Sequence, residues 1–138
     1  MMRAETDELI LRPLQKNETA LGGSCTISAD VFDYGNTEGC FAVVSKESRK
    51  LVGTVICPEE AITVYITETN RDLGYGADAL ALALDMLFGV LGRKKVTAVC
   101  EKNDIPAVKM LQHCGMEQEK EDGSRIGWSL TQSQWEVL

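Results

Sequence analysis

Histidine is nearly absent from this chain of 138 residues, with His113 alone, and none of its five cysteines stands in a CxxC pair. A zinc site needs clustered His and Cys ligands, and a disulfide framework needs an even set, so no metal and no disulfides are expected. Cys25, Cys40, Cys57, Cys100 and Cys114 read instead as reduced thiols, mostly in the core, of a cytoplasmic protein. A cysteine nucleophile would also want an activating partner, which one histidine hardly supplies. Cations are the minority charge. The 14 Lys and Arg against 21 Asp and Glu give a net charge of -7, which counts against nucleic acid, because neutralising phosphates needs a basic face. Long apolar runs are missing too. The longest, after Gly76, is broken by Asp78 and Asp85 and falls short of the roughly 20 residues needed to span a bilayer. Met1 to Leu14 is charged and alternating, without the apolar stretch of a signal peptide. No membrane association is expected.

What remains is enough for one domain, residues 1–138, with 44% apolar and 25% charged residues. The acidic balance suits a cationic or amine substrate. Thr6 to Leu14 alternates into a strand ended by Pro13. Gln15 to Glu38 is poorly patterned and has room for a helix or two. Phe41 to Ser45 and Leu51 to Cys57 read as strands joined by the charged hairpin connection Lys46 to Lys50. Pro58-Glu59-Glu60 turns into the strand Ala61 to Thr67. A helix spans about Ala77 to Leu91, with Leu80, Leu84, Leu87 and Leu91 on one face and a narrow wet edge at Asp78, Leu82 and Asp85. Gly92 suits its C-cap. Val96 to Cys100 is a buried strand. Asn103 or Asp104 caps the next helix, with Pro106 in its first turn and Gly115 as its stop. Met116 to Leu130 closes the chain as a hairpin around Asp122-Gly123.

The stretch Ala61 to Gly92 organises the rest: a strand, a polar turn ending in Gly74-Tyr75-Gly76, then the apolar helix. No Ser, Thr or Asn stands immediately before Ala77 to satisfy the first free amides of that helix. An anion is favoured there by donors and dipole together, and Arg71 would set a fixed positive charge beside it. A pyrophosphate fits. Two bland alternatives compete: tight-turn chemistry of the glycine pair, and capping by Asp72. Gly74, Gly76 and Ala79 also satisfy the dinucleotide pattern G-x-G-x-x-A, with Glu101 as the ribose acid. Against it, Thr67 to Asp72 separate strand from glycine, and fewer than forty residues follow Glu101. A P-loop lacks its Gly-Lys-Ser/Thr.

The segments TDELILRPL, VYITETNRDLGYGADAL and NDIPAVKMLQHCGM, in that order, resemble the GCN5-related N-acetyltransferase (GNAT) superfamily, and within it the ribosomal-protein N-acetyltransferase branch. Arg71, Gly74 and Gly76 match its acyl-coenzyme A signature. The resemblance implies an α+β fold, an α/β/α sandwich, with a mixed, mostly antiparallel sheet whose strands Ala61 to Thr67 and Val96 to Cys100 run parallel and splay apart. It implies acetyl-CoA as cosubstrate, with pantetheine in the gap on the backbone near Ile66 and Glu68. The pyrophosphate would then lie on the amides of Leu73, Gly74, Tyr75, Gly76 and Ala77, with Arg71 alongside. Asn103 or Asp104 matches the asparagine that steadies the coenzyme, though helix capping serves either equally well.

The activity so implied is attack of a primary amine on the thioester, with the N–H of Ile66 stabilising the negative oxygen. An amine of pKa about 10.4 must first lose a proton, and Glu60 is the base matched by position, with Glu68 and Glu101 in reserve. A solvated charge beside a turn is the competing reading of each. Many relatives protonate the leaving thiolate with a tyrosine where this chain has Leu111; Tyr65 and Tyr75 are substitutes, and His113 reads as an exposed helix-end cation. Trp128 and Trp135 read as packing, or as lining of an acceptor site or interface. The acceptor is a protein N-terminus, a polyamine or another small amine, and the apolar helix allows a homodimer. The alternatives are a coenzyme A-binding regulatory or degenerate module without turnover, and a purely structural domain.

Overall fold

The computed structural model describes residues 4–13, 40–56, 62–66 and 74–138. The segment Gln15 to Glu38 and the helices expected there lie outside the described residues. Two antiparallel sheets organise the rest. The first has the order β1-β2-β3-β4-β5, formed by Ala4–Glu5, Leu9–Pro13, Cys40–Ser45, Leu51–Ile56 and Thr63–Ile66. The second has the order β6-β8-β7, formed by Lys95–Glu101 (β6), Glu117–Asp122 (β7) and Arg125–Thr131 (β8).

Alternation decides what each strand buries. Leu9 and Leu11 of β2 are fully buried, as are Phe41 and Val43 of β3, in a register that sets Leu11 opposite Val43. The strand expected from Thr6 is shorter at its start: the Thr6 hydroxyl accepts the amides of Glu8 and Leu9, turning the chain so that β1 folds back on β2. Arg49 adopts a left-handed φ of 61° in the expected charged hairpin connection, which closes through Ser45 N–H to the Lys50 carbonyl at 3.0 Å.

Helix α1, Tyr75–Asp85, lays Leu80, Ala83 and Leu84 into the core against the first sheet. It starts two residues earlier than its apolar pattern indicates, and its wet edge differs from the expected one. Leu82 is buried and Asp78 half-buried, while Ala81 and Asp85 are exposed. Its continuation, Met86–Val90, is wound as a π-helix, a widened turn that appears mostly as a short insert in α-helices. Gly92 follows with φ 67°.

Helix α2, Ile105–His113, is capped by Asp104, whose Oδ1 accepts the Ala107 amide at 3.2 Å. It ends in a Schellman motif: Gly115, φ 87°, donates to the Gln112 carbonyl and Met116 to that of Leu111, each at 3.0 Å. The closing hairpin forms as expected, and a further helix follows it, α3, Gln132–Glu136. Its capping box pairs Thr131 and Gln134 reciprocally at 3.2 and 2.9 Å.

The relation between the sheets positions the site. Ile62 donates its amide to the Thr97 carbonyl at 2.7 Å, and among the described residues no ladder joins β5 to β6. The splay expected between the two parallel central strands follows that bond. Both strands continue from that bond along opposite walls of one cleft.

Candidate functional site

The cleft has a volume of about 390 Å³. Ile62 and Val64 form one wall, and Ala98 to Glu101 the other. Leu80 of α1 and Ala107, Met110 and Leu111 of α2 make its floor, and Glu101, Asp104 and Arg125 stand at its rim. Spacing explains the helix contribution: residues 107, 110 and 111 lie at i, i+3 and i+4, one face of α2. On β6, alternation turns Val96, Ala98 and Cys100 inward and leaves Val99 and Glu101 exposed. The Trp128 indole donates to the Cys100 sulfur at 3.3 Å, which fixes that wall.

Through Met110 the cleft wall is linked to the start of α1. Gly74 holds φ 80°, ψ 2° at the N-cap position, and no side chain caps the helix among the described residues. The first helical bond runs from the Asp78 amide to the Gly74 carbonyl at 3.2 Å, so the amides of Tyr75, Gly76 and Ala77 precede the ladder. The two glycines differ in surroundings. Among the described residues a Cβ on Gly74 would meet nothing within 4 Å, whereas one on Gly76 would lie 3.2 Å from Met110 Sδ and 3.8 Å from Ile66 Cγ1. Gly76 therefore permits close packing of α1 against α2 and the end of β5, and Gly74 permits the left-handed turn.

The expected site residues divide accordingly. Ile66, Gly76 and the cleft-lining Met110 meet at one corner. Tyr75 is half-buried against the core, and Ala77 offers its carbonyl to the Cys114 thiol at 3.4 Å. Asp104 both caps α2 and lines the cleft, whereas Asn103 is exposed in the preceding turn. Glu101 is exposed at the rim, its Oε1 accepting from Arg125 Nε at 3.4 Å. His113 is exposed in the last turn of α2. Trp128 is buried, and Trp135 packs on Phe88. Glu60, Glu68, Arg71, Asp72 and Leu73, and the side chain of Tyr65, lie outside the described residues.

Of the twelve cleft-lining residues the sequence singles out Glu101, Asp104 and Leu111; the others, among them Cys100, Ala107, Met110 and Arg125, read only as strand or helix positions. The helical spacing of 107, 110 and 111 was the available signal for two of them. Arg125 had none, since the β8 register sets it opposite Glu101. Leu111, which stands where the resemblance expects a tyrosine, is 3% exposed on the cleft floor. Among the described residues no His, Cys, Asp and Glu side chains cluster as metal ligands, and no helix is long and apolar enough to cross a membrane.

Among the described residues the first amides of α1 have no side-chain cap, an arrangement that can accept an anion, and the cleft is apolar along its floor.

No protein-family model matches the chain, and no curated protein matches it. Solved structures do match, at low identity. A GNAT-family acetyltransferase from Bacillus anthracis is 15% identical over 96% of this chain and 99% of its own, with a TM-score of 0.80. A ribosomal-protein-S5-alanine acetyltransferase from Vibrio fischeri is 14% identical over 98% and 99%, with a TM-score of 0.81. A spermidine N-acetyltransferase from Vibrio cholerae, in complex with CoA and spermine, is 17% identical over 94% and 99%, with a TM-score of 0.80. The chain has the α+β fold of the GNAT acetyltransferases.

Proposed function

We propose that this chain is an N-acetyltransferase that moves an acetyl group from acetyl-CoA to a primary amine. The observation that supports this reading is that Met110, which lines the cleft beside β5 and β6, also reaches Gly76 in the first turn of α1, a turn with no side-chain cap among the described residues. The amides of Tyr75, Gly76 and Ala77 hold the diphosphate, with Arg71 and Leu73 completing the turn. The pantetheine arm lies along the edge of β5, where the outward direction of the Ile62 amide recurs at Val64 and Ile66 by strand alternation. That edge also takes the oxygen of the tetrahedral intermediate. Asp104 keeps α2 in register beneath the arm.

The amine nitrogen attacks the thioester carbon after giving up a proton, and the coenzyme A thiolate leaves. Glu60 and Glu68 are the bases of first choice. Glu101 is a weaker one, because its carboxylate is engaged by Arg125 at the rim. Thiolate departure is tolerable without a local acid, since a thiol of pKa about 8.5 is a good leaving group. The acceptor is a peptide N-terminus or a polyamine, in line with the neighbours that are named for a ribosomal protein and for spermidine. A homodimer or larger assembly is consistent with the dodecameric spermidine N-acetyltransferase among those neighbours.

One observation favours a second reading, a coenzyme A-binding module without turnover: Leu111 places hydrocarbon where a phenol would protonate the thiolate. Calorimetry with coenzyme A, followed by thiol release from acetyl-CoA with polyamines and peptide N-termini, tests both readings. Binding with release on at least one acceptor supports the transferase, binding with none supports the module, and no binding sinks both.

A further inference from the structure

Asp78 is the one acidic side chain in the first turn of α1, the helix that has no side-chain cap among the described residues. It is half-buried. Its amide makes the first helical bond, to the Gly74 carbonyl at 3.2 Å, so it stands one residue past Ala77. That places it within about one helical turn, roughly 5.4 Å along the axis, of the amides of Tyr75, Gly76 and Ala77. Its carboxylate has neither a hydrogen bond nor an ion pair among the described residues. The neighbouring Cys114 thiol donates to the Ala77 carbonyl instead, at 3.4 Å. After burial, the Asp78 charge is the second cause that raises the pKa of that thiol, so its field is felt across the contact between α1 and α2. A half-buried carboxylate without a partner loses solvation, and the compensation at hand is the positive end of the α1 dipole. Asp78 therefore already neutralises part of that end.

We propose that Asp78 competes with the diphosphate for the open end of α1 and so loosens the hold on the carrier. This rests on the acetyltransferase reading, in which the diphosphate lies on the amides of Tyr75, Gly76 and Ala77. Two anions then share one positive end. Like unit charges about 7 Å apart weaken binding by about threefold in bulk water, and by more at a protein surface, where the effective dielectric constant is lower. The penalty falls on any ligand that brings the diphosphate, acetylated or not, so the choice of acyl group and acceptor is untouched. What changes is residence, because affinity differences between related complexes lie mostly in the dissociation rate. A transferase must exchange its carrier at every turnover, and a nearby like charge eases that exchange without blocking the site.

Calorimetry with coenzyme A, which requires no acceptor, compares the wild type with Asp78→Asn, which removes the charge and keeps the shape, and with Asp78→Glu, which keeps the charge. At low salt Asp78→Asn is expected to bind at least about threefold more tightly than the wild type, and Asp78→Glu to match the wild type within about twofold. In 1 M salt, where the screening length is about 3 Å, the advantage of Asp78→Asn is expected to disappear. A merely structural role would weaken binding on substitution or leave it unchanged. Should Asp78→Asn fail to fold, Asp78→Ser, which also removes the charge, decides by the same ratio. An affinity that is equal or lower in the uncharged variant, a gain that persists in 1 M salt, or equal gains in Asp78→Asn and Asp78→Glu overturns the proposal, while coenzyme A binding leaves the transferase reading standing. If coenzyme A does not bind the wild type, the reading and the proposal fall together.

Discussion

Trp135 donates its indole N–H to Asp85 Oδ1 at 3.1 Å, while its ring stacks on Phe88 with centroids 5.4 Å apart. The C-terminal helix is thereby latched to the far end of the helical segment that begins at Tyr75. The π-helical segment Met86–Val90 contributes, because it presents Phe88 and Gly89 to the ring; a Cβ on Gly89 would lie 3.5 Å from it.

Replacing Trp135 with alanine removes the stack and the bond together and should cost about 3 kcal/mol, at the low end for a large aromatic because the residue is half-buried. Trp135→Phe keeps much of the stack and loses the hydrogen bond, at about 1 kcal/mol. Urea unfolding of the two variants checks the order. Equal losses would mean that the indole N–H carries the contact by itself.

Cys114 sits under α1, its thiol donating to the Ala77 carbonyl. Burial first, and the Asp78 carboxylate second, push its pKa from 9.0 to about 11. Below pH 9 the thiol is neutral in folded and unfolded chains alike. Between 9 and 11 the unfolded chain sheds the proton and the folded one retains it, so stability falls as pH rises through that window, by roughly 2 to 3 kcal/mol in all. Urea midpoints at pH 8, 9.5 and 11, compared with those of Cys114→Ala, isolate the effect. In the folded protein at pH 8 this thiol should resist alkylation.

The two glycines of the turn should fail in different ways. Gly76→Val drives a branched side chain against Met110 and Ile66 at the corner of the site, and coenzyme A affinity should drop. Calorimetry on a variant with unchanged circular dichroism measures it, and an unaltered affinity would falsify the placement of the diphosphate. Gly74→Ala meets no neighbour, yet its φ of 80° should cost about 1 kcal/mol of stability.

Thr131→Ala breaks the capping box of α3 and should lower stability by about 1 kcal/mol. Gln134→Ala removes the reciprocal half and should cost less, because the Thr131 hydroxyl still reaches the backbone. Thermal melts of the two variants rank them.

Much of this molecule was legible in the residues, for local reasons. Asp104, Pro106 and Gly115 carry the start and stop of α2 in their own chemistry, and Asp122-Gly123 does the same for the last hairpin. The start of α1 lies two residues from where the sequence pattern puts it, after the left-handed Gly74. What escaped depended on contacts between distant segments. Arg125 joins the rim only through its pairing with Glu101, and Met110 reaches the turn only because α2 packs on α1. Spacing puts Met110 on the cleft face of α2 but says nothing of which segment it meets, and it gives no sign of Arg125. The capping box of α3 is a local signal as well, carried by Thr131 and Gln134 three residues apart.

A strand ladder would clamp β5 and β6 at a spacing of about 4.8 Å along their length, but among the described residues it is the Ile62 to Thr97 bond that holds them together. Past that pin the separation is governed by how α1 and α2 rest on each other. Any guest bearing amides along its shank can stitch the two lips together, and the free energy of that stitching is added to the folded state alone. Occupancy and heat resistance should consequently climb in step, so that this protein doubles as its own thermometer for whatever it holds.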